Sequence, residues 1–503
     1  ATKDIKKIII PSYIKRLAKF SFANCGSLVS LEFEENSQLH SIGYGAFSKT
    51  LLDRIFIPNS VEYLENGWCL NADFLEFVKV SSFNQNLRYV RKYLLVSKNE
   101  NNQNVIVFVK KNAESLIIPS NIHIIGAFSF AYCKFVKTIT FAPDSQLTRI
   151  SVSAFYSSAL EIIEIPKTVE KIDDGWCSWA TSLYDVKVSP LNPNFQIYDK
   201  KILIGKGYIL DDNDEEQVET NEFATILFSW KDFDEIVIPK FIKRIAKFGF
   251  EFCPLLRKVS FEDNSQLRSI GYSAFYSCPL RTICIPALCD HLNRWWCKKT
   301  KFLVDIVIDP RNRFYEYVDK TYLYADSRTN LLFARRNITE AQILPTIKII
   351  SPGAFEHCKY LVSLNFESDS QESQLAIIES MAFMNCVNLL SVKLLNSIRK
   401  IGALAFGQCK KLQSVEFQSY DQSQLEEIHN SCFDLCEKLK SFKIPTNLKR
   451  IGIKAFYSCA NLKTFEIPPD SKLKEIARDC FSFTKIKELK LPPTIKYLQN
   501  GFC

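Results

Sequence analysis

One short phrase recurs down the whole chain: an aliphatic strand ending in Pro, then Ile-Gly-x-x-Ala-Phe-x-x-Cys, then Leu-x-x-Ile. Its aromatic anchor falls at Phe22, Phe47, Trp68, Phe130, Phe155, Trp176, Phe250, Phe275, Trp296, Phe355, Phe383, Phe406, Phe433, Phe456, Phe481 and Phe502. Neighbouring anchors stand mostly 21 to 28 residues apart. That period belongs to a solenoid, in which each coil buries its apolar face on the next and the chain grows along one axis. A length of 503 residues therefore does not imply several globular domains here.

The coils come in cassettes. Anchor spacings of 25 and then 21 occur at Phe22/Phe47/Trp68, Phe130/Phe155/Trp176, Phe250/Phe275/Trp296 and Phe456/Phe481/Phe502. Each of the first three cassettes is followed by an insert of different rhythm, at about 83–111, 192–231 and 311–337. Strand-like alternations flank polar turns there, as in Tyr93–Val96 and Val105–Val109, or Tyr322–Tyr324 and Leu331–Phe333, and predict β-hairpins. From about 341 to 503 the coils run on without inserts, so the whole chain reads as one solenoid.

Within a coil, Leu-x-x-Ile-x-Ile-Pro predicts a short strand with two inward side chains and one outward residue between them. Pro11, Pro58, Pro119, Pro166, Pro239 and Pro286 then end their strands, because Pro offers no N–H to the ladder. The Ala-Phe-x-x-Cys segment predicts a single helical or 3₁₀ turn that turns Phe and Cys to one core. Nine cysteines stand three residues after an anchor Phe, among them Cys25, Cys133, Cys386 and Cys459. Four more, Cys69, Cys177, Cys297 and Cys503, follow an anchor directly. Such regular placement predicts free, buried thiols rather than a disulfide framework, which favours a reducing compartment. The single sequon, Asn337-Ile338-Thr339, agrees.

Ser41-Ile-Gly-Tyr-Gly-Ala-Phe47, Ser269-Ile-Gly-Tyr-Ser-Ala-Phe-Tyr-Ser-Cys278 and Arg450-Ile-Gly-Ile-Lys-Ala-Phe-Tyr-Ser-Cys459 carry a resemblance to the BspA-type leucine-rich repeats. It covers nearly the whole chain. The resemblance implies a β-rich leucine-rich-repeat solenoid: stacked parallel short strands, short helical or 3₁₀ turns on the convex side, and β-hairpin inserts. It also implies non-enzymatic binding, often adhesion at microbial or protist cell surfaces.

Little in the chain points to chemistry. The five histidines, His40, His123, His291, His357 and His429, share no register. Cys284, Cys289, His291 and Cys297 make the densest cluster of soft ligands, but they lack the Cys-x₂-Cys spacing of a zinc knuckle. Gly205-Lys-Gly207 lacks phosphate-loop spacing. No catalytic residue, metal site or cofactor is expected. The net charge of +9 comes from short, scattered clusters such as Lys298-Lys299 with Lys301, and Arg335-Arg336, beside an acidic segment at Asp211–Glu216. No stripe of basic and aromatic residues suits a nucleic acid. No apolar run of 18 residues would span a membrane. A chain that opens at Ala1 and stops in mid-coil at Cys503 reads as an excerpt of a longer protein or a processed one.

The informative positions are the outward middle residues of the strands, which would line the concave face. At the first strand of each cassette they are apolar: Ile9, Ile117, Val237 and Ile343, with Phe56 a further aromatic. Either the inserts cover them or they form a contact stripe. Toward the C-terminal end the slots alternate in sign, Lys393, Glu416, Lys443, Glu466 and Lys490, which predicts cross-strand charge pairs. These ten residues are the candidate partner-binding positions. The expected function is a solenoid scaffold that binds protein partners through this face and the insert loops, as a surface adhesin or as an intracellular assembly component.

Overall fold

A computed structural model describes residues 5–210, 217–366, 373–499 and 501. The acidic segment Asp211–Glu216 and the last anchor pair, Phe502 and Cys503, lie outside the described residues. The chain divides into two compact units, residues 1–231 with 244–252, and residues 232–243 with 253–503. Each is a stack of short parallel strands, and no helix occurs among the described residues.

A coil begins with a strand of about four residues. Lys7–Ile10 pairs in parallel with Ser30–Phe33, and Arg54–Ile57 with Phe77–Val80. Burial alternates along such strands, as the two-residue side-chain period requires: in Arg54–Ile57 the residues Ile55 and Ile57 are buried while Arg54 and Phe56 are exposed. After the Pro turn a two-residue strand builds a second parallel ladder, Arg16–Leu17 on Ser41–Ile42 on Tyr63–Leu64. The coil closes through the anchor segment, where the expected helical turn is absent.

That segment is instead a staircase of turns. Two residues four apart take positive φ in coil after coil: Phe20 and Asn24, Phe128 and Tyr132, Met381 and Asn385, Lys454 and Ser458. Each such residue breaks the right-handed helical path. Alternate amides then bond locally and to the next coil. Ser21 N donates to Ala18 O (3.2 Å), Phe22 N to Ala46 O (2.9 Å), Ala23 N to Phe20 O (3.1 Å) and Asn24 N to Ser48 O (2.8 Å). Half the amides of a turn thus tie coil to coil, while Phe and Cys stay three apart and face inward.

The anchors form the core. Phe383 and Phe406 stack with centroids 5.1 Å apart and planes within 1°, and Phe406 and Phe433 at 5.5 Å and 2°. The cysteines lie beside them: Cys386, Cys409 and Cys436 each donate to the carbonyl of the preceding coil's anchor, at 3.2 Å. All sixteen described cysteines are free thiols, and most are buried.

Each insert is a three-stranded antiparallel unit. Arg88–Val90, Leu94–Lys98 and Asn104–Val109 form the first, and Tyr315–Val318, Tyr322–Ala325 and Asn330–Ala334 the third. The last strand of each joins the two-residue ladder of the next coil, Val105–Ile106 on Ile124–Ile125 and Asn330–Leu331 on Ile349–Ile350. Nineteen residues before the first anchor after each insert stands a cation: Lys111, Lys231 and Arg336. Lys111 Nζ donates to Ala131 O. It replaces the turn amide that an ordinary coil would aim there. Lys231 Nζ reaches Ala180 O (3.3 Å) and Thr181 O (3.1 Å), and Arg336 Nη1 reaches Ala354 O (2.7 Å). Ala180 O and Ala354 O also accept a backbone amide, from Leu183 at 3.1 Å and Ala334 at 2.9 Å, so at those two junctions the cation is a second donor to the carbonyl.

Candidate functional site: the outward strand face

In the first unit the outward middle residues Ile9 and Glu32 stand opposite one another, as do Phe56 and Lys79. Neighbouring strands of a sheet lie about 4.8 Å apart, so such a row is a continuous surface. Ile9 is 53% exposed and Phe56 42%. Arg54 and Phe77 are opposed two residues back along the same strands, on the same face, and Phe77 is exposed as well. Phe74 and Phe83 flank that strand and are also exposed. Among the described residues the first insert reaches this sheet only through Tyr89, whose hydroxyl donates to Val78 O at 2.6 Å, and it leaves Ile9, Phe56 and Phe77 exposed.

The second cassette provides an internal control. At the slots of Phe56 and Phe77 it carries Glu164 and Asp185, in strands that pair in the same way. Ile117 is exposed opposite Thr140, and Glu164 opposes Lys187. The fold therefore places no demand for aromatics at these slots.

In the second unit Val237 is 58% exposed opposite Ser260, and half-exposed Cys284 opposes exposed Val307. Ile343 does not belong to the face. It is 1% exposed and points into the core, and Gln342 takes the outward slot opposite Asn365. The strand reads Ala341-Gln342-Ile343-Leu344-Pro345, with one residue more before Pro than its counterparts. Counting back from Pro therefore gave the wrong parity, and in a strand one step exchanges inside for outside.

The charged series is realised in part. Lys443 Nζ lies 2.6 Å from Glu466 Oε1, and the two are opposed in register. Lys393 stands opposite Glu416, both exposed. Lys490 departs from the series. It lies outside any strand, and its ammonium is 3.9 Å from Glu488 on its own segment. Pairs this exposed contribute about 0–1 kcal/mol.

The residues with chemical potential do not assemble. Among the described residues no three His, Cys, Asp or Glu side chains are placed to hold a metal ion. Cys289 and Cys297 are buried, whereas Cys284 faces outward on the sheet. His357 is buried with neither ring nitrogen hydrogen-bonded, and its Nε2 lies 3.8 Å from Glu356 Oε1. Burial first, then the nearby Arg336, Lys301, Lys359 and Lys299, push its pKa down to about 3, so it is neutral at physiological pH. Among the described residues no helix is long and apolar enough to cross a membrane.

Sequence reasoning missed Phe77 and the junction cations. Phe77 opens its strand, and only middle residues were considered. The cations carry a signal, their constant nineteen-residue distance to the next anchor, that scattered charge conceals.

No curated protein matches the chain. Among solved structures, the chain is similar to a leucine-rich repeat protein from Eubacterium ventriosum, at 15% identity and TM-score 0.47, over 82% of this chain and 92% of that one. It is also similar to a leucine rich cell surface protein from Faecalibacterium prausnitzii, at 21% identity and TM-score 0.44, over 82% and 94%. The pneumococcal vaccine antigen PcpA is a third, at 16% identity and TM-score 0.39, over 82% and 93%. The BspA type leucine rich repeat region matches residues 1–106, 101–198, 221–318, 328–420 and 376–502. With its repeats matched almost from end to end, the chain belongs to the BspA-type leucine-rich repeat family.

Proposed function

We propose that this chain is a non-enzymatic scaffold that binds a protein partner on the outward strand face of its first cassette. The observation that carries the reading is the exposed set Ile9, Phe56 and Phe77, at slots two of which the same architecture fills elsewhere with Glu164 and Asp185. Exposed aromatics on a rigid sheet lose little side-chain entropy on contact, and such residues dominate interface energetics. The surrounding Lys7–Glu32 and Arg54–Asp53 pairs supply a polar rim. Ile117, Val237 and the Lys393, Glu416, Lys443, Glu466 and Lys490 positions belong to the same reading as secondary contacts.

The test substitutes Phe56→Glu and Phe77→Asp together, the residues of the second cassette. Thermal stability should hold within a few degrees. Proteins captured by the wild-type chain from extracts of its source, and by a Glu164→Ala control, should be lost from the double variant. Equal capture by all three chains would sink the reading.

A further inference from the structure

The segment before the second insert and the coil after it, both in the first unit, fit together closely. Asp174 takes the Arg244 guanidinium, with Nη1 3.0 Å from Oδ1, and also accepts the Lys247 amide at 3.2 Å. Phe248 lies on Gly175, where a Cβ would meet the ring at 2.9 Å. Only about 20 Å³ of cleft remains beside Cys177 and Glu251. The corresponding place around the third insert, wholly in the second unit, keeps Cys297 and Glu356 but differs at the positions of Asp174, Gly175, Arg244, Lys247 and Phe248. Asp173-Asp-Gly-Trp-Cys177 becomes Asn293-Arg-Trp-Trp-Cys297, and Arg244-Ile-Ala-Lys-Phe248 becomes Ile349-Ile-Ser-Pro-Gly353.

The changes compensate one another. Glycine and aromatic have exchanged places: Trp295 now lies on Gly353, where a Cβ would meet its ring at 3.1 Å. Pro352 has no N–H, so the acid that capped Lys247 has nothing to cap, and Arg294 stands in its place. Ile349 offers no charge to pair with it. A cleft of about 210 Å³ opens. Arg294, Lys298, Trp295, Leu332, Ile349 and Arg336 are among its walls.

Its charges are unbalanced in one direction. Neither Arg294 nor Arg336 forms an ion pair with any described residue; Arg294 is exposed, whereas Arg336 is only 3% exposed and donates to the carbonyls of Ala334, Ala354 and Gly353. Of the two acids in the lining, Glu379 lies 3.6 Å from Lys400 and the buried Glu356 accepts only the neutral Lys299 amide, at 3.1 Å, so the three cations Arg294, Lys298 and Arg336 face two carboxylates. Lys298 extends its ammonium over Trp295, 4.6 Å from the ring centroid. Arg294, exposed at the cleft, and Lys298 have no carboxylate at ion-pair distance among the described residues, and charge-assisted hydrogen bonds from the two would hold a bound oxyanion.

We infer that this cleft binds a small organic oxyanion, a carboxylate or phosphate monoester. Its charged group lies toward Arg294 and Lys298, and its apolar body lies against Leu332 and Ile349. This site is separate from the strand face and does not depend on the protein-binding reading.

Calorimetric titration of the whole chain tests it, with phenyl phosphate and benzoate as anionic probes, benzyl alcohol as the neutral analogue and inorganic phosphate as the ion without an apolar body. At least one aryl anion should saturate a single site, with benzyl alcohol and inorganic phosphate each weaker by about tenfold or more. Arg294→Asp should cost about tenfold or more, whereas Arg313→Asp, at an exposed arginine outside the cleft, should change nothing. The double exchange Trp295→Gly with Gly353→Phe, which copies the filled arrangement, should fold normally and lose binding. The inference is overturned if no aryl anion binds at millimolar concentration, if benzyl alcohol or inorganic phosphate binds as tightly, or if Arg294→Asp is silent. Equal loss on Arg313→Asp would reduce the effect to bulk charge and overturn it as well.

Discussion

At the scale of single residues, the repeat assigns each position a side, and the consequences are measurable. Phe275 is fully buried, so Phe275→Ala should cost about 3–5 kcal/mol through the cavity it leaves. Phe56→Ala, on the outward face, should stay within about 0.5 kcal/mol. Urea denaturation of the two variants checks the assignment, and equal losses would refute it. The tryptophan anchors offer a finer contrast. Trp68 Nε1 donates to Val107 O at 3.0 Å, whereas the buried Trp176 Nε1 has no partner. Trp68→Phe should therefore destabilise more than Trp176→Phe, by about 1–3 kcal/mol, because only the first strands a buried carbonyl. Inside and outside were legible for Ile9, Phe56, Ile117 and Val237, since Ile-x-Ile-Pro fixes the strand's parity. They were illegible at Ile343, because the extra Leu344 has no signature of its own.

At the scale of elements, the strands follow from apolar alternation, but the anchor turns do not follow from any residue type. Phe20, Phe128, Met381 and Leu404 all take positive φ without the Gly or Asn that usually announces it. Contacts with the next coil impose that geometry, and a one-coil reading cannot see them. The junctions show the same dependence on neighbours. Glu251 in the first unit and Glu356 in the second each accept a turn amide, from Trp179 at 2.9 Å and Lys299 at 3.1 Å. Burial raises the Glu251 pKa to about 7, against weaker lowering by the Trp179 amide and Lys231. The folded state then holds a proton that the unfolded state releases, so this residue's contribution falls as pH rises from the ordinary value of 4.5 to about 7. His357 acts in the opposite sense. Its folded pKa of about 3 lies below the ordinary 6.5, so its contribution is complete above 6.5 and is lost as pH falls toward 3. Glu251→Gln should flatten the first dependence. His357→Phe, which copies Phe252 at the equivalent place, should flatten the second. Unfolding midpoints between pH 4 and 7.5 would show both, and a variant that leaves its slope unchanged would exclude that group as the cause.

At the scale of the molecule, stability in a solenoid is a sum of weak coils and strong interfaces, so the question is how far cooperativity extends. In the second unit the interfaces from Phe355 to Phe481 are alike. Anchor rings stack at 4.7 to 5.8 Å, and the thiols of Cys386, Cys409, Cys436 and Cys459 donate to the anchor carbonyl one coil back, at 3.1 to 3.2 Å. The regular Cys spacing made this ladder legible in the sequence, whereas the sulfur–carbonyl contact that fixes each thiol depends on the stacking distance between coils. Burial pushes the Cys409 and Cys459 thiols up to about 12, so the reactive thiolate is scarce as well as inaccessible. Cys284, only partly buried on the sheet face, is the contrast in accessibility, although burial raises its thiol pKa too. N-ethylmaleimide at pH 8 should label Cys284 in the native protein. The four ladder thiols should react only after unfolding, and with one common urea midpoint, because no interface among them is weak enough to part first. Peptide mapping by mass spectrometry along the urea series distinguishes the cases. Separate midpoints for Cys386 and Cys459 would mean that the coils open one by one, and that the interface term is smaller than stacked rings and shared amides imply.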